Sequence, residues 1–240
     1  MVISKSGQRQ YSNRIIEIDF LRGIALILMM LFHFLYDLQE FYNIPIPYWN
    51  NFWYYEGKTS AILFMFLAGI SCTLSKNNLI RGCKIFLIGM LLTIGSYIFM
   101  PGEYIRFGIL HLLGLSMIIF HFIKKIPHVW SGALALIIII LGNMMNHITI
   151  NTWILIPLGL IHGDFVSMDY YPLFPWFGVF LIGTIIGKVV YKDKKSIFHI
   201  KRNRGFINFM GRHSLFIYLI HQPIFLSLLY VIFHFILKDR

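Results

Sequence analysis

The stretch DFLRGIALILMMLFHFLYD, residues 19–37, sets two carboxylates, a guanidinium and an imidazole into an otherwise apolar run. Such groups cost about 2.5–3.5 kcal/mol each near the centre of a bilayer on insertion scales, so each needs a reason to be there. Read as a helix, Arg22 and His33 lie eleven residues apart. At 100° per residue that is three turns plus about 20°, so both share a face, about 16 Å apart along the axis. Asp19 lies one turn before Arg22, and Asp37 one turn after His33. Arg22 with Asp19 reads either as an interfacial salt bridge or as a cation for a phosphate. An imidazole with a carboxylate at i+4 fits a general base whose orienting partner selects the tautomer, with packing as the alternative for His33. A metal pair at the same spacing lacks a third ligand in the sequence, so no metal is expected.

Other ionisable residues repeat the pattern. RFGILHLLG places His111 just inside an apolar run, where it could hold an acceptor, polarise a carbonyl or pack as a hydrogen-bonded core residue. DYYPLFPWFG brings Asp169 and Trp176 to the entry of another run, as candidates for contact with substrate, with membership of the aromatic belt as the other reading of Trp176. YLIHQPI carries His221 beside Gln222 and Pro223; a proline frees a backbone carbonyl, and His221 is expected mid-membrane, lining a tunnel or packing. YWNNFWYY (48–55) offers Trp49 and Trp53 as a sugar-stacking surface or as interface anchors. The basic run from Lys188 through Arg202 and Arg204 could hold coenzyme A phosphates, or serve as a topology signal touching anionic lipid.

The elements that must position these residues are membrane helices. Of 240 residues, 58% are hydrophobic and 13% charged, against about 25% charged in a soluble domain. The chain therefore reads as an all-α, polytopic helix bundle forming a single domain over 1–240, with no room for a sizeable soluble module. Seven runs are long enough to cross: 20–38, 60–75, 82–100, 107–123, 129–146, 171–190 and 213–237. The net charge of +11 is explained by basic turns that alternate with poorer ones, not by nucleic acid. Lys5, Arg9 and Arg14 precede the first run; Lys76, Arg81 and Lys84 follow the second; Lys124 and Lys125 follow the fourth; the 188–204 run follows the sixth. The positive-inside rule then puts the N-terminus in the cytoplasm and the C-terminus outside. NTWILIPLGLIHGDF (151–165), apolar but short and broken by Pro157 and Gly159, is expected to be interfacial or re-entrant. Cys72 and Cys83 form neither a metal motif nor a disulfide framework.

Five stretches, in order, carry a resemblance: RIIEIDFLRGIALILMMLFHF (14–34), FMFLAGISCTLS (64–75), IRFGILHLLGLS (105–116), YPLFPWFGVFLIGTIIGK (171–188) and GRHSLFIYLIHQPI (211–224). The first resembles the opening helix of the transmembrane acyltransferase superfamily, and the other four resemble the catalytic domain of heparan-alpha-glucosaminide N-acetyltransferase and its small prokaryotic relatives. The Arg22–His33 spacing resembles the opening helix of the acyltransferase-three family. The resemblance implies a multi-pass enzyme of a prokaryotic cell membrane. It would move an acyl group, most simply acetyl from acetyl-CoA, to a hydroxyl or amine of a glycan or envelope acceptor outside. The Arg22–His33 match places a catalytic role on His33; with it, the residue readings make Asp37 and His111 candidate catalytic residues, Arg22, His221, Lys188, Arg202 and Arg204 candidate donor contacts, and Trp176, Trp53 and Asp169 candidate acceptor contacts. The expected partners are the lipid bilayer, acyl-CoA and the acceptor, with a homodimer left open. The residues alone also allow a second class, a proton-coupled small-molecule transporter or exporter with His33 and Asp37 as its proton carriers.

Overall fold

The computed structural model describes residues 15–48, 51–145, 148–198 and 205–236. Lys5, Arg9, Arg14, Trp49, Lys201, Arg202 and Arg204 lie outside the described residues. The fold is all-helical. In chain order the helices are α1 (Ile16–Tyr42), α2 (Asn51–Leu74), α3 (Asn78–Phe99), α4 (Ile109–Ile123), α5 (His128–Met145), α6 (Leu173–Val190), α7 (Phe206–Arg212) and α8 (Ser214–Val231). A turn of π-helix, Ile232–Ile236, extends α8. Two isolated bridges, Phe107 with Tyr170 and Thr149 with Ile161, are the β-type pairings among the described residues.

Six of these helices, or their extensions, are long and apolar enough to cross a membrane: α1, α2, α3, α5, α6 and α8. The run at 107–123 forms a helix of fifteen residues, which rises about 22 Å against a hydrocarbon core of about 30 Å. The second run begins earlier than hydropathy suggests: α2 starts at Asn51, not near residue 60. That places Glu56 inside a candidate span, Phe52–Leu74, instead of in a loop. The seventh run divides into α7 and α8, with His213 between them. The 151–165 segment holds one turn of 3₁₀ helix, Ile156–Leu158, ending at Gly159 with φ 110°.

The chain forms two compact units, Met1–Phe64 with Lys194–Arg240, and Met65–Asp193. In the first, Glu17 and Asp19 occupy the first turn of α1, where carboxylates complement the helix dipole. Glu17 also accepts from Ser196 Oγ at 2.5 Å and from the Ile197 N–H at 2.7 Å, tying the residues before α7 to the base of α1. Asn43 ends α1 in the left-handed conformation, φ 54°, and the Ile44 N–H returns to the Leu38 carbonyl. The core joins Leu26, Met29 and Met210 with Met30, Phe64, Ile217 and Tyr218. α7 lies against α1 backbone to backbone: a Cβ at Gly23 would strike the Ile207 carbonyl, and one at Gly211 the Asp19 carbonyl. Such small residues let helices approach closely where lipid offers no hydrophobic drive to associate them.

The second unit uses the same device. Gly82 and Gly114 face each other across α3 and α4, Gly142 meets Pro175, and Gly178 meets the Ala135 carbonyl. Its buried centre includes Leu112, Phe180 and Leu181. The loop at 103–107 and the segment at 166–171 are laced together. The Met168 N–H donates to the Glu103 carbonyl at 2.7 Å and the Tyr171 N–H to the Phe107 carbonyl at 2.9 Å.

Candidate active site

Two histidines that read alike in sequence sit in different chemical states. In the first unit, His33 of α1 meets His221 of α8, with Nδ1 of His33 2.7 Å from Nε2 of His221. The rings are inclined by 15° with centroids 5.0 Å apart, which suits an in-plane N–H···N bond. His221 Nδ1 lies 2.6 Å from the Tyr218 carbonyl. A carbonyl only accepts, so that nitrogen carries the proton and the neutral ring offers Nε2 as an acceptor. His33 Nδ1 must then be the donor, and its Nε2 keeps a bare lone pair. No described residue bonds His33 Nε2. His221 is 5% exposed while His33 is half-buried, so the inner ring is fixed and the outer ring presents its base.

Asp37 does not orient His33. Its Oδ1 accepts from Gln222 Nε2 at 2.5 Å, and the residue is fully buried. Its Oδ2 has no partner among the described residues, nor has the neighbouring Gln222 Oε1. The i+4 spacing on α1 is as expected, but both side chains find partners across on α8. Gln222, beside the helix-interrupting Pro223, thus spends its amide on this carboxylate. His221 is hydrogen-bonded edge to edge with His33. At the other end of the polar face, Arg22 pairs with Asp19 at 3.4 Å while a quarter of its side chain stays accessible. Trp53 packs edge-on against Phe52, centroids 5.1 Å apart.

In the second unit, His111 is committed on both nitrogens. Its Nδ1 accepts from the Gly108 N–H at 3.2 Å. Thr93 Oγ1 donates to the Ile105 carbonyl at 2.8 Å, so it can only accept from His111 Nε2–H at 3.2 Å. The ring is 2% exposed, sits near those of Phe86 and Phe107, and packs on Gly89. Asp169 Oδ2 accepts from the Ile109 N–H at 2.9 Å, capping α4. Burial raises the Asp169 carboxyl from an ordinary 3.8 to about 6, and the backbone hydrogen bond from Ile109 offsets part of that rise. Burial likewise raises the neighbouring Tyr170 hydroxyl, which donates to the Ile156 carbonyl. Trp176 meets Tyr171 at 5.5 Å, and Lys188 Nζ donates to the Ile126 carbonyl at 3.0 Å.

Sequence reasoning does not single out Tyr218, whose carbonyl sets the tautomers of His33 and His221, or Thr93, which occupies His111. Both act through pairings that only folding creates. Glu56 has a readable signal, a carboxylate inside an apolar helix, but a helix boundary set near residue 60 leaves it in a loop.

The family profile described as heparan-alpha-glucosaminide N-acetyltransferase, catalytic, matches residues 14–223. No curated protein and no solved structure matches the chain at a significant level.

Proposed function

We propose, from the premise that the chain belongs to the family of heparan-alpha-glucosaminide N-acetyltransferase catalytic domains, that it transfers an acetyl group across the bilayer. The donor is acetyl-CoA in the cytoplasm, and the acceptor is a hydroxyl or amine of a glycan or other envelope molecule outside. In this reading α4 crosses with the six longer helices, the N-terminus lies inside and the C-terminus outside. The 151–165 segment then rests at the outer interface.

The observation that carries the reading is the bare Nε2 of His33, with its opposite nitrogen tied through His221 to the Tyr218 carbonyl. Arg22, near the cytoplasmic end of the same face, pairs with a phosphate of the donor while the pantetheine arm runs toward His33. His33 Nε2 takes a proton from the acceptor as its oxygen or nitrogen forms a bond to the thioester carbonyl carbon. The positive charge that forms on His33 is shared through the Nδ1–H bond to His221. His33 then returns the proton to the departing sulfur as the C–S bond breaks, leaving the CoA thiol and the acetylated acceptor. His111 holds the start of α4 in register as a positioning residue. Arg202 and Arg204 would extend the donor contacts from the basic segment before α7.

The test is the purified protein in detergent. Acetyl-CoA should raise its melting temperature, because a ligand at 100 times its Kd stabilises a folded state by about 2.7 kcal/mol. Radiolabelled acetyl should then pass from acetyl-CoA to at least one member of a panel of amino sugars and polysaccharides. A protein that is neither stabilised by acetyl-CoA nor able to transfer is not this enzyme, and proton-coupled transport becomes the better reading.

A further inference from the structure

In the first unit, the C-terminal half of α1, the start of α2 and the whole of α8 hold a set of buried side-chain atoms with no partner among the described residues. All of them are acceptors: Asp37 Oδ2, Gln39 Oε1, Gln222 Oε1 and both carboxylate oxygens of Glu56. Glu56 is the extreme member. It is 7% exposed, lies within a candidate membrane span, and uses neither oxygen. A buried carboxylate without donors is among the costliest arrangements a protein can keep. The nearest cation along the chain, Lys58, lies over the Tyr54 ring at 4.5 Å.

Helix register fixes the depth of Glu56. Ser60 Oγ donates to the Ala25 carbonyl at 2.8 Å, and a Cβ on Gly57 would come within 2.6 Å of the Phe32 ring. Residue 56 therefore sits at the level of Phe32 and His33 on the neighbouring helix. α1 thus has the bare base His33 turned toward α8, and a bare carboxylate on α2 at the same depth. Each of these acceptors lacks a donor, and a ligand that is a cation and a multiple donor is what would satisfy them.

We propose that Glu56 is the ammonium-recognition residue of the acceptor site. An acceptor amine arrives as R–NH₃⁺ and pairs with the Glu56 carboxylate, while Asp37 and Gln222 accept from its hydroxyls. This rests on the acetyl-transfer reading and divides its proton traffic in two. Glu56 takes one proton from the ammonium and leaves a neutral amine. The amine nitrogen bonds the thioester carbon while His33 takes a second proton, which departs with sulfur as the CoA thiol. The third hydrogen stays on the amide. Glu56 releases its proton to water, so each transfer yields one amide, one thiol and one proton.

The experiment separates this proposal from the reading beneath it. Melting temperatures are measured without donor for the wild type and Glu56→Gln, with glucosamine and with N-acetylglucosamine. Glucosamine should stabilise the wild type and not Glu56→Gln, N-acetylglucosamine should do neither, and the acetyl-CoA shift should be the same in both proteins. In turnover with glucosamine, Glu56→Gln should raise KM about 10- to 100-fold, the range for losing a hydrogen bond to a charged group, and should also lower kcat, because glutamine cannot take the ammonium proton. A second measurement needs no variant. A hydrophobic carbodiimide should label Glu56 in the wild type, read by mass spectrometry, and glucosamine but not N-acetylglucosamine should protect it. Equal glucosamine shifts in both proteins, no glucosamine shift in the wild type, or equal protection by both sugars would each overturn the proposal. If glucosamine binding depends on Glu56 and acetyl-CoA neither binds nor reacts, the amine site stands and the acetyl-transfer reading falls. If transfer proceeds with KM unmoved in Glu56→Gln, the reverse holds.

Discussion

At His33 the chemistry is set by which nitrogen is bare. The chain from the Tyr218 carbonyl through His221 leaves Nε2 of His33 as the free base, and a glutamine at 33 can imitate its volume and hydrogen bonding but not its basicity. His33→Gln should therefore lower acetyl transfer by about 10²–10⁴, the usual worth of general-base assistance, with the acetyl-CoA melting shift retained. A folded His33→Gln protein with near wild-type turnover would remove His33 from the chemistry. Asp169 makes a different prediction, on stability. Its folded pKa is raised, from 3.8 to about 6, so the protonated form is the one the fold favours. Its contribution is full below pH 3.8 and is lost as pH rises through about 6. Asp169→Asn keeps an acceptor for the Ile109 N–H and removes the titration. The variant should gain on the wild type in melting temperature between pH 4 and pH 7 and hold that gain above it, and a pH-independent difference would contradict this.

Between elements, contact is made by backbone meeting backbone. α7 has seven residues, too few to be stable alone, and it is held because Gly211 and Gly23 allow it to touch α1. Gly211→Ala would place its Cβ against the Asp19 carbonyl, next to the Asp19–Arg22 pair. Overpacking of this kind costs about 1–3 kcal/mol, occasionally more, because backbone cannot yield as a side chain can. The melting temperature should fall accordingly. Gly95, exposed on α3 with open space for 4 Å around the point where a Cβ would stand, is the control. Gly95→Ala should be neutral or stabilising, since alanine is favoured over glycine within a helix by about 1 kcal/mol. Equal effects at the two positions would mean that helix propensity, not contact, governs both.

For the whole molecule the decisive property is sidedness, since the proposed reaction joins a cytoplasmic donor to an outer acceptor. Cys72 is buried and Cys83 exposed, so a Cys72→Ala, Cys83→Ala background is needed for labelling. In it, Asp164→Cys, on the well-exposed 151–165 segment, should react with an impermeant maleimide added outside intact cells, and Lys194→Cys only after the membrane is opened. Reaction of both from the same side would remove the seven-span arrangement and the cross-membrane transfer with it. The short α4 is the point where that arrangement is most exposed to failure, because its fifteen residues span about three-quarters of a typical hydrocarbon core.

Hydrophobic runs and charge bias are local properties, and the sequence by itself determined what depends on them. That covers the all-helical membrane class, the position of most helices and the shared face of Arg22 and His33. It also covers the expectation that 151–165 forms no long helix. Boundaries set by weakly apolar residues were less legible. The aromatic and polar stretch 51–59 continues α2, because Glu56 and Ser60 share its buried face, and hydropathy counts such residues against a span. What only the tertiary structure decided is which polar groups are paired. His33 turned to His221 and not to Asp37, Asp37 to Gln222, and His111 to Thr93 and Gly108. Two of these pairs join residues more than 180 positions apart. Whether a histidine is a base or a fastener depends on the group facing its second nitrogen, and folding alone brings that group into place.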